Sequence, residues 1–299
     1  MSTLATELPL RRAEIGQGTV IARALPHREK RMIGAWCFLD RAGPVQFAQG
    51  QGLDIGPHPH IGLQTFTWMI AGTLMHTDSL GSKQLIQPKE VNLMTAGHGI
   101  SHTEVAPQTE TELHTAQLWI ALPDAKRDMP AKFQHYPQLP VIQQQQLECT
   151  VLVGEFLEQL SPVEVYSPLV AVDFCTAQSA SQATRFKLNP KFEYGLLLLT
   201  GNAQINGQTL SNDNMMVFST GTTEIVIELA AKSRVLLIGG EPFESPILLW
   251  WNYVGRTEQE IKTAHQQWLA HDRRFGEIHD YDGQRLQAPA FPTHMRASR

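Results

Sequence analysis

The sequence predicts an all-β protein made of two tandem jelly-roll β-barrels with a short C-terminal helix. Three observations support this fold class. The 22 glycines and 18 prolines are spread along the 299 residues, short apolar runs lie between them, and one pattern of strands and turns occurs twice. Many short strands separated by turn residues are typical of β-sandwiches and β-barrels.

The predicted strands are the short apolar runs that turn residues separate. In chain order they cover residues 32–39, 63–70, 91–94, 115–122, 151–153, 169–174, 194–200, 215–218, 224–227 and 234–238.

A weak internal repeat divides these strands into two copies of one unit. Residues 68–72 resemble residues 197–201, and residues 92–97 resemble residues 216–221. Each copy reads as strand, glycine turn, strand, polar turn, strand and glycine. Two copies of an antiparallel unit predict two barrels of jelly-roll type.

The two barrels are expected to join near the middle of the chain. Residues 136–146 contain two prolines and a run of four glutamines, and proline fits poorly in a central strand. We therefore predict an N-terminal domain over residues 1–135, a linker over residues 136–146 and a C-terminal domain over residues 147–299.

One helix is predicted near the C-terminus. Residues 257–260 form a capping box, in which the threonine hydroxyl accepts a backbone N–H and the glutamate reaches back. Apolar residues then recur at helical spacing from Ile261 to Trp268. Residues 246–251 before it are too apolar to stand alone, so we expect the chain from about Glu244 onward to pack on a barrel.

The composition limits the classes of function. The formal charge of −5 and the lack of a basic run argue against a nucleic-acid partner. No apolar stretch approaches the roughly 20 residues that span a bilayer, and no signal-peptide pattern is present. Three scattered cysteines, Cys37, Cys149 and Cys175, fit a reducing compartment. We expect a cytoplasmic monomer without a membrane partner.

The first chemically informative fragment contains His58 and His60. Pro57 and Pro59 precede these two histidines and favour extended backbone. Because side chains alternate along extended chain, both imidazoles are expected on one face of a stiffened segment.

The second fragment contains His102 and Glu104, again two residues apart. Gly97 and Gly99 come before them and indicate a tight turn that delivers the next strand to a defined place. If the two fragments face each other, three imidazole nitrogens and one carboxylate oxygen converge.

Such a ligand set suits a divalent metal that keeps open coordination positions, and iron(II) is the first expectation. Zinc more often has four ligands, and structural zinc sites usually include thiolates, which neither fragment offers. Manganese, nickel, copper and zinc remain alternatives.

These fragments resemble the pirin family of two-domain cupins. The runs 56–65 and 94–104 match the family in order and spacing, and the runs 116–123 and 239–243 resemble it further. The resemblance is strong over residues 30–125 and looser beyond them.

The resemblance implies two cupin barrels with iron only in the first, held by His58, His60, His102 and Glu104. Some relatives resemble quercetin 2,3-dioxygenases, which open a flavonol ring with O₂. Others resemble iron-dependent regulatory proteins that bind protein partners.

We favour the enzyme, because two open metal positions suit O₂ chemistry. Its substrate would be a flavonoid or another small aromatic molecule, and Glu104 would also be the catalytic base. A redox-sensing regulator with a protein partner is the alternative. An oxygen-reactive cupin that acts on another small metabolite also stays open.

Four more residues have two interpretations each. Gln64 stands where many cupins have a glutamate, so it is read as a neighbour of the ligands or as packing. His98 stands where the family often has arginine, and it is either a surface turn residue or a titratable group at the pocket mouth. His76 and Gln117 are either donors to the ligands or ordinary barrel residues.

The second copy of the repeat is predicted to bind no metal. Alignment of the two copies on their glycines places Lys187, Asn189, Val226 and Glu228 at the ligand positions. None of these is a histidine, so the second barrel is expected to have a structural, regulatory or partner-binding role.

Overall fold

A computed structural model describes residues 5–16, 18–293, 295 and 297–298. Strands β1 to β13 are Thr6–Pro9, Arg11–Ile15, Thr19–Leu25, Trp36–Gln46, Asp54–His60, Leu63–Ala71, Leu74–Asp78, Lys83–Ile86, Val91–Thr95, Ile100–Val105, Glu112–Ala121, Lys132–Tyr136 and Val141–Gln144. Strands β14 to β26 are Leu147–Val153, Glu155–Phe156, Gln159–Leu160, Leu169–Cys175, Thr184–Lys187, Glu193–Thr200, Ala203–Ile205, Gln208–Leu210, Asn214–Phe218, Glu224–Leu229, Arg234–Gly240, Leu248–Trp250 and Tyr253–Gly255. Helix α1 spans Glu258–Leu269, and a 3₁₀ turn spans Arg273–Phe275. Within these residues, no helix is long and apolar enough to cross a membrane.

The chain forms two compact units, and neither is a continuous half of the sequence. Unit 1 contains residues 5–12, Ala22–Arg41 and Gln138–Phe243. Unit 2 contains Ala13–Ile21, Ala42–Pro137 and the described part of Glu244–Arg299.

This division differs from the predicted linear one. The boundary after Pro137 lies inside the predicted linker, residues 136–146. The segment from Glu244 onward, however, groups with residues 42–137 and not with residues 147–243. The physical reason is the apolar face of that segment, which is buried within unit 2.

Unit 2 contains a four-stranded antiparallel sheet and most of a seven-stranded one, in which strands β2, β3 and β4 also have residues assigned to unit 1. The larger has the order β12-β9-β6-β11-β4-β3-β2, and the smaller has the order β5-β10-β7-β8. An apolar cluster between them includes Ile21, Met69, Leu74, Ile86 and Leu113. The short hairpin β25-β26 is a third sheet of this unit.

Unit 1 repeats this arrangement with a different set of strands. Its sheets have the orders β1-β22-β19-β24-β17-β14-β13 and β18-β23-β20-β21. The order β22-β19-β24-β17 repeats β9-β6-β11-β4, and the smaller sheet repeats β5-β10-β7-β8. The predicted all-β fold with two jelly-roll barrels is therefore confirmed.

The pairing register gives the equivalence of the two copies residue by residue. Strands β7 and β20 both follow the glycine turn of the repeat, which makes Ile205 the equivalent of His76. Glu104 pairs with His76, and Ile227 pairs with Ile205. Ile227 is therefore the structural equivalent of Glu104.

The same register corrects the predicted ligand positions of the second copy by one residue. The connections around β18 and β23 differ in length by one residue from those around β5 and β10, and a one-residue shift turns a side chain to the opposite face. The positions predicted were Lys187, Asn189, Val226 and Glu228. The equivalents of His58, His60, His102 and Glu104 are instead Phe186, Leu188, Ile225 and Ile227, and all four are buried.

The predicted C-terminal helix is confirmed. The Thr257 hydroxyl accepts the N–H of Glu260 at 3.1 Å, and the Glu260 carboxylate accepts the N–H of Arg256 at 2.9 Å. The buried face of α1 consists of Ile261, Ala264 and Trp268. This face joins a cluster of unit 2 that also contains Ile61, Leu248, Trp250, Tyr253 and Phe275.

We expect Trp268→Ala to lower the free energy of unfolding by about 3–5 kcal/mol, the usual cost of emptying a large buried aromatic site. Trp268 is 3% exposed and packs against Phe275 with ring centroids 5.7 Å apart. Leu269→Ala is the matched control, because Leu269 is 58% exposed on the same helix. Urea unfolding measures both variants, and equal losses would contradict the burial of this face.

Candidate metal centre

The candidate site is built on β5 and β10, which are neighbouring antiparallel strands of unit 2. His58 lies opposite His102, and His60 lies opposite Ile100. The three imidazoles are buried, and the exposed fraction of His58, the largest, is 6%. The two fragments therefore face each other, as the sequence predicts.

The three imidazoles form a compact cluster. One ring nitrogen of each histidine lies within 4.8 Å of the corresponding nitrogens of the other two. The Nε2 atoms of His60 and His102 are 3.1 Å apart, and the ring centroids of His58 and His102 are 4.3 Å apart. Among the described residues, this is the only group of three or more histidine, cysteine or acidic side chains that could hold a metal ion.

Backbone carbonyls decide which ring nitrogen of His58 and His60 carries the proton. Nδ1 of His58 lies 2.9 Å from the carbonyl oxygen of Gly56, and Nδ1 of His60 lies 3.0 Å from that of Asn252. A carbonyl oxygen only accepts, so each Nδ1 must donate. The Nε2 atoms are left with lone pairs, which is the form that binds metal.

A series of hydrogen-bonded side chains likewise leaves Nε2 of His102 with its lone pair. Nε2 of His76 lies 3.0 Å from a carboxylate oxygen of Asp78, and Nδ1 of His76 lies 3.3 Å from Nδ1 of His102. The carboxylate accepts from Nε2 of His76. When both imidazoles are neutral, Nδ1 of His76 therefore accepts from Nδ1 of His102. Such carboxylate–histidine chains orient metal-binding imidazoles.

The carboxylate of Asp78 is well placed for this role. Its second oxygen accepts the N–H groups of Leu80 at 2.9 Å and Ser82 at 3.0 Å. Burial raises the pKa of Asp78, but the hydrogen bonds from His76 and from Ser82 outweigh burial and keep the pKa below its usual value. Asp78 is thus a fixed anionic acceptor.

Burial keeps the three clustered imidazoles neutral at pH 7. It lowers the pKa of His58 to about 4 and lowers the pKa values of His60 and His102 well below their usual range. Unprotonated Nε2 atoms that face each other repel unless a cation lies between them. The donors fit a divalent metal, and the three histidines form a three-histidine metal-binding site.

Glu104 lies beside this cluster but is not a member of it. Its Oε1 accepts from the hydroxyl of Thr67 at 3.4 Å. Burial raises the pKa of the Glu104 carboxyl, while His76 and the Thr67 hydroxyl act in the opposite direction. The prediction that Glu104 is a fourth ligand and a base stays a prediction.

Gln117 and Gln64 differ in their relation to the site. The Thr67 hydroxyl lies 2.8 Å from Oε1 of Gln117 as well as near Glu104, so Gln117 contacts the site through Thr67. The amide nitrogen of Gln64 donates to the hydroxyl of Thr95 at 3.0 Å inside the large sheet.

His98 is exposed at the turn before β10. Its carbonyl oxygen accepts from Nε of Arg274 at 2.7 Å. These contacts agree with the interpretation of His98 as a surface turn residue.

Two groups that orient the histidines were not predicted from the sequence, the Asp78 carboxylate and the Asn252 carbonyl. Asp78 stands two residues after His76, which is the same alternation that marked the two metal fragments, so that signal was available. The carbonyl of Asn252 offered no signal, because it is a backbone atom 192 positions away from His60 in the chain.

Aromatic rings form walls next to the imidazoles. Trp119 meets His60 edge to face, with ring centroids 5.1 Å apart. Phe133 stacks on His76 at 4.3 Å with an interplanar angle of 15°. These rings pack against two of the imidazoles and help to hold them in place.

Two jelly-roll barrels with a three-histidine site in one of them define a two-domain cupin metalloprotein. Residues 18–120 match the Pirin family, and residues 175–276 match the Pirin C-terminal cupin domain. The chain is 47% identical over 295 residues to the Pseudomonas aeruginosa protein named "Putative quercetin 2,3-dioxygenase PA1205", covering 98% of this chain and 93% of that protein. The chain therefore belongs to the pirin family.

Solved structures agree with this family. A crystal structure of quercetin 2,3-dioxygenase from Acinetobacter baumannii has a TM-score of 0.96 and 67% identity, covering 99% of this chain and 98% of that one. A bacterial pirin from Escherichia coli in complex with nickel(II) has a TM-score of 0.62 and 21% identity, covering 80% of this chain and 100% of that one. At 21% identity, the similarity to the Escherichia coli protein shows only a shared fold.

The metal-free protein should lose stability as the pH falls from 6.5 towards 4. In this window the unfolded chain binds protons at histidines with the usual pKa of 6.5, whereas folded His58, with a pKa of about 4, does not. Each such histidine removes about 1.4 kcal/mol per pH unit. Urea unfolding of chelator-treated protein at several pH values gives the slope, and His58→Gln should reduce it. An unchanged slope in this variant would contradict the shifted pKa.

Replacement of Asp78 should weaken metal binding without removing a ligand. Asp78→Asn takes away the anionic acceptor that orients His76 and, through it, His102. The expected loss of metal affinity is about 10- to 100-fold, measured by chelator competition with nickel(II). Asp280→Asn is the matched control, since the Asp280 side chain is 60% exposed, and it should bind like the parent. An equal loss of metal affinity in both variants would contradict an orienting role for the contacts from Asp78 through His76 to His102.

Proposed function

We propose that this protein is a metal-dependent dioxygenase that opens the ring of a flavonol such as quercetin with O₂. The observation that carries the proposal is the convergence of three neutral imidazoles beside the half-buried carboxylate of Glu104. The Pseudomonas aeruginosa and Acinetobacter baumannii relatives carry the name quercetin 2,3-dioxygenase, which supports this substrate class.

Iron(II) is the proposed metal, held by His58, His60 and His102, with Glu104 as the fourth ligand. When bound, a divalent metal supplies Lewis acidity to substrate oxygens and an assembly point for O₂. Imidazole and carboxylate ligands also suit manganese, nickel, copper and zinc. The Escherichia coli pirin solved with nickel(II) makes nickel the first alternative to test.

Glu104 is the proposed base. The Thr67 hydroxyl binds its Oε1, so Oε2 would take the proton of the flavonol hydroxyl. Burial raises the pKa of this carboxyl, and a higher pKa strengthens a carboxylate as a proton acceptor. The Thr67 hydroxyl has one proton, so it would hold the carboxylate in position when it turns from Gln117 to Glu104.

The aromatic walls suit a planar substrate. Trp119 packs against His60 and Phe133 stacks on His76, so each supplies an aromatic ring beside the cluster. They would orient a flavonol by ring contacts and exclude water from the reacting carbon atoms.

The proposed location is the cytoplasm, and the proposed assembly is a monomer. The location is supported by the cysteines, since Cys37, Cys149 and Cys175 are all free thiols. Reducing compartments keep thiols in this form.

The central test combines elemental analysis with an aerobic flavonol assay. Purified protein should contain about one iron per chain after anaerobic loading with ferrous iron, and quercetin absorbance should then decay with turnover. His102→Ala should lose both metal and turnover. An iron-loaded protein without turnover that captures a protein partner only when oxidised would instead support the regulatory function.

Glu104→Gln tests the base directly. It should retain most of the metal, because the three histidines remain, but lose about 10²- to 10⁴-fold in flavonol turnover, the usual contribution of a general base. Glu228→Gln is the control, since Glu228 is exposed on β23 of the other barrel. Full turnover in Glu104→Gln would show that another group takes the proton.

A further inference from the structure

Unit 1 contains a cavity that the proposed reaction does not use. Its volume is about 360 Å³. Its walls come from β15 and the turn after it, β17, the end of β18, the connection between β18 and β19, β19 and β24. All of its lining residues belong to unit 1. Small-molecule sites typically have volumes of about 300–1,000 Å³ and mostly apolar walls.

The cavity shares two wall positions with the neighbourhood of the metal site in the first copy. Leu188 lines the cavity and is the structural equivalent of His60. Leu237 also lines it and pairs with Leu196, as Gln117 pairs with Thr67 in unit 2. At these two positions the second barrel has apolar side chains where the first has polar ones.

The cavity is lined by aromatic rings that the surrounding structure holds in place. The Tyr194 hydroxyl accepts the N–H of Asn189 at 2.8 Å and donates to its carbonyl oxygen at 3.1 Å. The Phe156 ring packs against Phe186, with ring centroids 5.5 Å apart. Phe192 is a third lining ring. Fixed rings recognise flat aromatic molecules through stacked and edge contacts.

The rim of the cavity is polar and reaches solvent. Glu155, Lys187 and Asn189 line it and are exposed, so a polar group on a bound molecule has partners there. Leu157, at the tip of the β15-β16 hairpin, adds an apolar side chain that is 37% exposed.

The hairpin tip is unusual in its backbone. Leu157 and Glu158 both have positive φ angles, 48° and 61°, in a two-residue turn that normally uses asparagine and glycine. This conformation places the Leu157 side chain at the cavity. Leu160, on the other strand of the hairpin, is 71% exposed and is not among the lining residues.

We propose that this cavity is a second, metal-independent binding site for a small planar aromatic molecule whose polar group faces the rim. The site is separate from the three-histidine cluster, because its lining contains no histidine and no cysteine. The proposal holds whether or not the first barrel oxidises flavonols.

The test is a fluorescence titration of chelator-treated, full-length protein with 2-naphthol, which lacks the adjacent oxygens that chelate metals. We expect saturable binding of one molecule per chain, and reloading with nickel(II) should change Kd by less than about twofold. Leu157→Asp should weaken binding by about tenfold or more, since it places a charge against the ring. Leu160→Asp is the matched control on the same hairpin and should stay within about twofold.

Leu157→Ser serves as a milder second variant, and it should weaken binding in the same direction. Circular dichroism and thermal unfolding of each variant establish that the fold is kept. No saturable binding, or binding that the Leu157 variants leave unchanged, would overturn the proposal. Equal weakening by the Leu157 and Leu160 variants would also overturn it, because the loss would then not come from the cavity.

Discussion

The metal centre depends on where three imidazole protons lie. Each of His58, His60 and His102 presents an unprotonated Nε2 only because its Nδ1 has an acceptor in hydrogen-bond range. Two acceptors are backbone carbonyls, and the third is a histidine that Asp78 orients. Burial then disfavours a second proton on each ring. Without these contacts the same three rings would fill the barrel as ordinary polar residues, with no preferred direction for their lone pairs.

The two barrels share one scaffold but differ in what their interiors contain. In unit 2 the smaller sheet presents imidazoles and a carboxylate, and in unit 1 the equivalent strands present Phe186, Leu188 and Ile225. Burying polar groups is unfavourable unless they are paired, so the first barrel needs the supporting contacts described above. The second barrel needs none of them at these positions, because Phe186 and Ile225 belong to the apolar cluster that fills its interior.

Much of the fold and of the metal site was predictable from local sequence patterns. Alternation along extended segments identified the three histidines that cluster, His58, His60 and His102, and the repeat predicted the two-barrel fold. The role of Glu104 stays a prediction. The one-residue error in the second copy arose because glycine landmarks do not fix strand register, whereas cross-strand pairing does. The position of the C-terminal segment and the role of Asn252 depend on contacts between residues far apart in the chain. Periodicity within a short window carries no information about such contacts.

The grouping of the C-terminal segment with unit 2 also sets an order of events during synthesis. His60 is made early, but the carbonyl that orients it belongs to Asn252, which leaves the ribosome about 10–40 s later at usual translation rates. Until then the nascent chain contains the three histidines but lacks the carbonyl that orients His60. The site is therefore complete only when translation is nearly finished, and a ribosome stalled before Asn252 carries a chain in which His60 lacks its orienting carbonyl.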